Sequence, residues 1–420
     1  MRAVTLALVL ASLLGCENND RQLEQADWAA SENWMVFDHH THTQFSDGQL
    51  PLGDVVALAA EFGCEAMAIS DHSDIPAAYS PQYLDALNAA RLQHPQILIL
   101  AGIELEMPSY DRREHVGMVI HPKAENAVVK KLASAIQLVT QNAYKGRRAD
   151  KTLLDAFSSP GNDRNQIIAV YNHPSRKDSS SSENYDDFWE WSDHVGRKLI
   201  FAGAPGHQKD KSNPGNYSSQ FLTANRWDPV VSQIGGTWDR LLDEGHEVHA
   251  ALAGSDFHNR KLDYPPCAFS RTHVAIAEHS YQALLEGLAA GTFWAGHGRV
   301  LKSLSVTAEL DASFPLAHPG ATVMLNREDK LALIRVAIER DANGVSLPLR
   351  ADAVGTCHDG TPRKIAMLEF GATQNEAEIF LPLNQSGADG KSCYYRFAVS
   401  ADTGGETLVA HTNAIRFVFP

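Results

Sequence analysis

Residues 36–48 read Val36-Phe37-Asp38-His39-His40-Thr41-His42-Thr43-Gln44-Phe45-Ser46-Asp47-Gly48, an apolar run that breaks into imidazoles and closes on a turn. The run predicts a strand over 36–40. Side chains two apart on extended chain share a face, so His40 and His42 point the same way, with Asp47 in the Ser46-Asp47-Gly48 turn just beyond. His39 then faces the opposite side as a wall residue.

Working outward, further apolar runs predict strands at 66–70, 97–103, 116–120, 167–171, 199–202 and 248–253. Helical patterns fall between them: 52–62, closed by Gly63; 81–92, opened by Ser80 as N-cap with Pro81 at the first helical position; and 125–144. The stretch 178–184, with its run of serines, reads as an exposed loop. Alternation of this kind is the signature of parallel βα units. Ionisable residues recur at the strand ends: His72, Glu104, His115, His173, and then Asp256 with His258. A parallel barrel keeps its active site at the carboxyl ends of its strands, and His115, which precedes its strand, fits that rule least well.

So many imidazoles and carboxylates at one mouth are not all satisfied core residues, because burying that polarity without partners costs several kcal/mol per group. Divalent metal ions explain the set economically. Nitrogen and oxygen ligands without thiolate suit Zn²⁺, Mn²⁺ or Fe²⁺.

On these residues the chain resembles the PHP (polymerase and histidinol phosphatase) family of metal-dependent phosphoesterases over about residues 34–300. Asp38 to Thr43 with Ser46-Asp47-Gly48 matches its first motif, except that His39 stands where an apolar residue is usual. His72, Glu104, His115, His173, Asp256 and His258 match the later motifs in order. The resemblance implies an α/β fold, a distorted (βα)7 barrel, holding three divalent ions. It places His40, His42, Glu104 and Asp256 on the first, Glu104, His115 and His173 on the second, and Asp47, His72 and His258 on the third. It also implies hydrolysis of a small phosphorylated substrate, monoester or diester, by a metal-activated water. Amide or lactone hydrolysis by the same site is the competing chemistry, and a surface-anchored binding protein with a non-catalytic barrel is the competing class.

Other candidates are read singly. Arg176, Arg260 and Arg271 follow the fifth and seventh strands and are candidate phosphate contacts, with a structural or surface role as the alternative. His207, after the sixth strand, is a candidate general acid for the leaving oxygen.

Beyond residue 304 the pattern changes to alternating runs at 331–338, 365–370, 394–399 and 414–419, separated by turns such as Asn343-Gly344 and Asp389-Gly390. This predicts a small all-β sandwich domain over 304–420, after a barrel domain over 33–303. At the other end, residues 1–15 read as a signal peptide, and Leu13-Leu14-Gly15-Cys16 resembles a bacterial lipobox that would leave Cys16 lipidated. Residues 16–32 are then a flexible tether, and the expected location is the cell envelope, lipid-anchored on the periplasmic side, with the outer membrane favoured. Export to an oxidising compartment allows disulfides, and Cys357 and Cys393, which share the C-terminal segment, are expected to pair.

Composition narrows the classes. A 420-residue chain that is 44% hydrophobic is globular rather than disordered. A net charge of −15 disfavours tight binding to a nucleic-acid backbone, and no nucleic-acid partner is expected.

Overall fold

The computed structural model describes residues 21–105, 114–143, 147–158, 166–176, 199–204, 225–358, 360–383 and 392–419, with isolated positions between 188 and 223. The signal segment, Cys16, His207 and the serine-rich loop at 178–184 lie outside the described residues.

After a short first strand, β1 (Gln22–Glu24), come β2 (Trp34–Asp38), β3 (Ala66–Ile69), β4 (Leu98–Leu105), β5 (Val116–Ile120), β6 (Ile167–Tyr171), β7 (Leu199–Ala204) and β8 (His249–Ala253). From β2 to β8 these strands stand side by side in chain order. Their interiors are almost wholly buried and rich in Val, Ile, Leu and Ala, as strands covered on both faces must be. The ends of the row meet at one edge: the His40 carbonyl accepts the Asp256 N–H at 2.9 Å, and the Phe257 carbonyl accepts the His42 N–H at 2.8 Å.

One expectation is corrected. The row is not all parallel, because β5 runs antiparallel to both β4 and β6. The connection from Leu105 to Val116 is shorter than the dozen or more residues a parallel crossover needs. The reversal brings the start of β5 to the end of its neighbours, which is why His115 reaches the common mouth although it precedes its strand.

Helices α1 (Leu52–Glu61), α2 (Pro81–Gln93), α3 (Pro122–Gln141) and α4 (Arg147–Ser158) join the first strands, followed by α5 (Pro229–Ser232) and α6 (Thr237–Asp243). The Ser80 side chain accepts the Tyr83 N–H at 3.2 Å with Pro81 at the first position, so α2 starts where its capping chemistry dictates. Gly63, at φ +76°, turns the chain out of α1.

Beyond β8 follow β9 (Ser270–Ala275), α7 (Tyr281–Ala290) and β10 (Phe293–His297), the two strands forming an antiparallel pair beside β2. Then come β11 (Leu301–Glu309), β12 (Thr322–Met324), β13 (Leu331–Arg340), β14 (Leu349–Gly355), β15 (Arg363–Phe370), β16 (Glu376–Pro382), β17 (Ser392–Asp402), β18 (Thr407–Thr412) and β19 (Ile415–Val418). Strands β11, β13 and β16 form one sheet, and β12, β14, β15, β17, β18 and β19 lie in another; both contribute to a second apolar core. That second sheet is continuous with the row around the first core, since β18 pairs with β10. The tether expectation is corrected in part: β1 pairs with β12, and Arg21 forms ion pairs with Asp311 and Asp329, so part of residues 16–32 is built into this β region. Cys357 is bonded to Cys393, and Cys64 to Cys267 across 203 residues.

Buried imidazoles line the junction of the two cores. His273 stacks on Trp294 at 4.0 Å, and His297 lies between Trp227 and Phe269. Burial, with Arg271 near one and Arg226 near the other, pushes both down to about 3. A histidine ordinarily titrates near 6.5, so between that pH and about 3 the unfolded chain takes up protons that the folded chain refuses. Their stabilising effect is therefore complete above about pH 6.5 and is lost as pH falls. At pH 5 each is expected to cost about 2 kcal/mol. Urea unfolding at pH 7 and pH 5 measures this, and His297→Phe is expected to flatten the dependence; an unchanged slope refutes the assignment.

Candidate metal centre

The site is built where β2, β3, β4, β6 and β8 end and β5 begins. Asp38, the last residue of β2, is fully buried and accepts the backbone N–H of His40 at 3.1 Å, of Ser255 at 3.1 Å and of Cys267 at 3.3 Å. One carboxylate thus ties the His40 segment to the one carrying Asp256. A second, Asp71, accepts the Thr43 N–H and hydroxyl at 2.7 Å each and the Ser46 hydroxyl at 2.5 Å, pinning the loop that carries Asp47. Gly48 closes that loop, and a Cβ there would fall 2.5 Å from the His42 carbonyl carbon.

The nine residues expected as ligands come together. Glu104 is central: Oε1 lies 3.2 Å from His40 Nε2, 3.2 Å from His115 Nδ1 and 3.1 Å from His173 Nε2, while Oε2 lies 3.3 Å from His72 Nδ1 and 3.6 Å from His42 Nε2. Asp256 Oδ1 faces His40 Nε2 at 3.2 Å and His42 Nε2 at 3.1 Å. Asp47 reaches His258 Nε2 at 3.3 Å, His42 Nδ1 at 3.6 Å and His72 Nε2 at 3.7 Å. His173 and Asp256 hold φ of +31° and +48°, a region that non-glycine residues adopt uncommonly and that His and Asp enter more readily than most.

Burial is graded across the cluster. His40, His42, Glu104, His173 and Asp256 are at most 1% exposed in their side chains, whereas His72, His258 and Asp47 reach 15%, 16% and 48%. The Asp47 side is therefore the more exposed end of the cluster. Burial holds His42 well below its usual range, reinforced by His258 and His72, so it stays neutral with one ring-nitrogen lone pair to offer. Burial opposes ionisation of Glu104 and Asp47, but the surrounding imidazoles prevail and keep both carboxyls well below the ordinary range.

These donors fit a cation. The Nε2 atoms of His40 and His42 lie 3.0 Å apart, each also beside a carboxylate oxygen, and Glu104 Oε1 accepts the Asn172 amide at 2.8 Å besides meeting three imidazoles. That is more neighbours than one oxygen's lone pairs serve, and shared divalent ions relieve the crowding. Potential ligand atoms group as His42, Asp47, His72 and His258; as His40, His42 and Glu104; as His40, His173 and Asp256; and as His72, Glu104 and His115. His42 thus stands between two of the sets that the family resemblance separates.

A further grouping, Glu114 with His115 and His173, contains a residue that the strand-end reading missed. Glu114 is buried, its Oε2 lies 3.0 Å from His173 Nδ1 and 2.7 Å from Arg176 Nη2, and against the cost of burial these partners hold it at about 2. An ionised carboxylate only accepts, so the proton sits on His173 Nδ1 and the Nε2 lone pair faces Glu104 and the cluster. Glu114→Gln is expected to weaken metal retention about 10–100-fold. Chelator competition measures it, and undiminished retention refutes it. Adjacency to His115 was the one available signal in the sequence.

The arginines differ in placement. Arg176 is buried against Glu114, Arg260 is exposed, and Arg271 directs its donors to the carbonyls of Cys267 and Phe62. None of the three lies in the ligand groupings. His39 is buried beside Gly254, where an added Cβ would meet its ring at 2.7 Å, and burial with neighbouring His40 pushes it down to about 3.

Residues 38–195 match the PHP domain family. No curated protein matches the chain. Among solved structures, a two-domain protein containing a predicted PHP-like metal-dependent phosphoesterase, from Bacteroides vulgatus, is similar at 14% identity and a TM-score of 0.41, over 96% of this chain and 99% of that one. An amidohydrolase from Chromobacterium violaceum, with bound sulfate and no metal, is similar at 18% identity and a TM-score of 0.33, over 55% of this chain and 89% of that one.

Proposed function

We propose, from a chain whose residues 38–195 match the PHP domain, that this protein is a metal-dependent phosphoesterase whose row of strands from β2 to β8 is the distorted (βα)7 barrel of that family. The observation that carries the reading is the convergence of five imidazoles on the two oxygens of Glu104. Three ions are proposed, held by His40, His42, Glu104 and Asp256; by Glu104, His115 and His173; and by Asp47, His72 and His258. Zinc, manganese and iron all suit these ligands. When bound, such cations lower the pKa of a water toward neutrality and offset the charge gathering on a phosphoryl group.

The chain's own residues supply the rest. Glu114 keeps the proton on His173 Nδ1. The Asp256 carbonyl, 2.9 Å from His258 Nδ1, can only accept, so it keeps the proton there and turns the Nε2 lone pair toward Asp47. Asn172 orients Glu104 through its amide. The buried residues exclude bulk water from the deep end, while the half-exposed Asp47 marks where a small phosphoester enters. Arg260, exposed beyond His258, is proposed as a phosphate contact, and His207 as the general acid.

The disulfides support export, and lipidation at Cys16 is proposed to anchor the chain on the periplasmic side. Cys16→Ser is then expected to release the protein from the membrane fraction.

The test of function is elemental analysis of the purified chain with a screen of phosphomonoesters, phosphodiesters, amides and lactones. Bound divalent metal with phosphoester turnover is the expected result. Turnover confined to amides or lactones, or protein that takes up no metal, overturns it.

A further inference from the structure

On β2, β9 and β10, the residues Trp34, His273 and Trp294 alternate with Met35, Val274 and Ala295 of the first core and so occupy the opposite face of their strands. No described helix is seated on that face. Opposite stand Ser303 and Ser305 of β11, paired with Glu339 and Ala337 of β13, on the face turned away from Leu304, Val306, Val336 and Ile338 of the second core. Between the two walls lies a cleft of about 680 Å³. That size, at the junction of two structural units, is typical of small-molecule sites.

The walls are chemically unlike. One is aromatic: Trp294 lies flat on His273 at 4.0 Å, with Trp34 edge-on to it at 6.3 Å, and the Trp294 indole N–H, in a residue 2% exposed, has no acceptor among the described residues. The other is low and polar, its serines and alanine leaving the depth open. Both cations in the lining already face carboxylates, Lys302 to Glu339 at 2.6 Å and Arg271 to Asp341 at 3.8 Å, and Glu32 and Glu65 add further negative charge. An anion is disfavoured there, and a purely apolar ligand displaces water from Glu32 and from the Ser303 and Ser305 hydroxyls without replacing its hydrogen bonds. A ligand with an apolar C–H face and a rim of hydroxyl donors satisfies both walls.

We infer that this cleft binds a short neutral oligosaccharide, its sugar faces against Trp34 and its hydroxyls toward the acidic and serine-bearing wall. The inference is independent of the metal centre and of the proposed hydrolysis.

The test is titration of the full chain with neutral cello-, xylo-, malto- and chito-oligosaccharides, read by tryptophan fluorescence and calorimetry. Saturable binding of at least one series is expected. Trp34→Ala, and Ser305→Trp on the opposite wall, are each expected to weaken it about tenfold or more, a loss of about 1.4 kcal/mol. Trp34→Phe is expected to retain most of the affinity, and Ser305→Trp to leave phosphoester turnover unchanged. Absence of saturable binding by every series overturns the inference. So does unchanged affinity in a Ser305→Trp protein of wild-type melting temperature, or displacement of the sugar by inorganic phosphate.

Discussion

Glu104→Gln is expected to lower phosphoester turnover on the order of 10³-fold, the factor that corresponds to about 4 kcal/mol of lost charge stabilisation. The substitution keeps the shape of the side chain, which sits at the end of β4 and is 1% exposed, so the fold has little reason to change. What changes is charge and lone pairs. Both oxygens of Glu104 lie among imidazoles, and an amide puts an N–H₂ in place of one lone-pair oxygen, facing either the proposed cations or the Asn172 amide that Oε1 now accepts. Metal content is therefore expected to fall together with activity. Turnover and elemental analysis on the same preparation measure both, with the melting temperature as a check on folding. A variant that keeps its metal and its rate removes Glu104 from the centre of the site.

The second large effect concerns stability. Asp239 of α6 and Arg396 of β17 form a bidentate pair at 2.6 and 2.9 Å, both side chains at most 2% exposed, with the guanidinium 4.8 Å from the Trp238 ring. This pair joins the region of the first core to the β region beyond it. Asp239→Ala leaves a buried cation without its counterion, and the expected loss is about 3–5 kcal/mol. Removing both charges is a different experiment, since it also removes the desolvation cost. The double variant Asp239→Leu with Arg396→Met is expected to recover most of the loss. Chemical denaturation of the three proteins decides it. Equal stability of the single variant and the parent contradicts the assignment, as does a double variant no better than the single one.

Much of the site was legible because each piece announces itself locally. An apolar run followed by His40 and His42, or by Glu104, or by Asp256 and His258, is visible in a dozen residues, and the capping of α2 by Ser80 follows from adjacent positions. Glu114 was not legible for the complementary reason. Its role depends on contacts with His173 and Arg176, which are some sixty residues away. Nothing in the run Arg112-Arg113-Glu114-His115 separates it from a surface carboxylate. The direction of β5 was hidden likewise, because the side-chain pattern of a buried strand is the same whichever way its neighbours run.

By itself, then, the sequence determined the strands from 34 to 253, the change to β structure after 300, and the nitrogen and oxygen donors that a divalent ion requires. All of these follow from periodicity, turn chemistry and residue type, which act between near neighbours along the chain. Only the tertiary structure decided that β5 is reversed, that β9 and β10 carry the first sheet into the second, that Cys64 meets Cys267, and that Glu114 holds His173. Those outcomes depend on which distant surfaces bury one another, a choice made by the packing of the whole chain that no short stretch encodes.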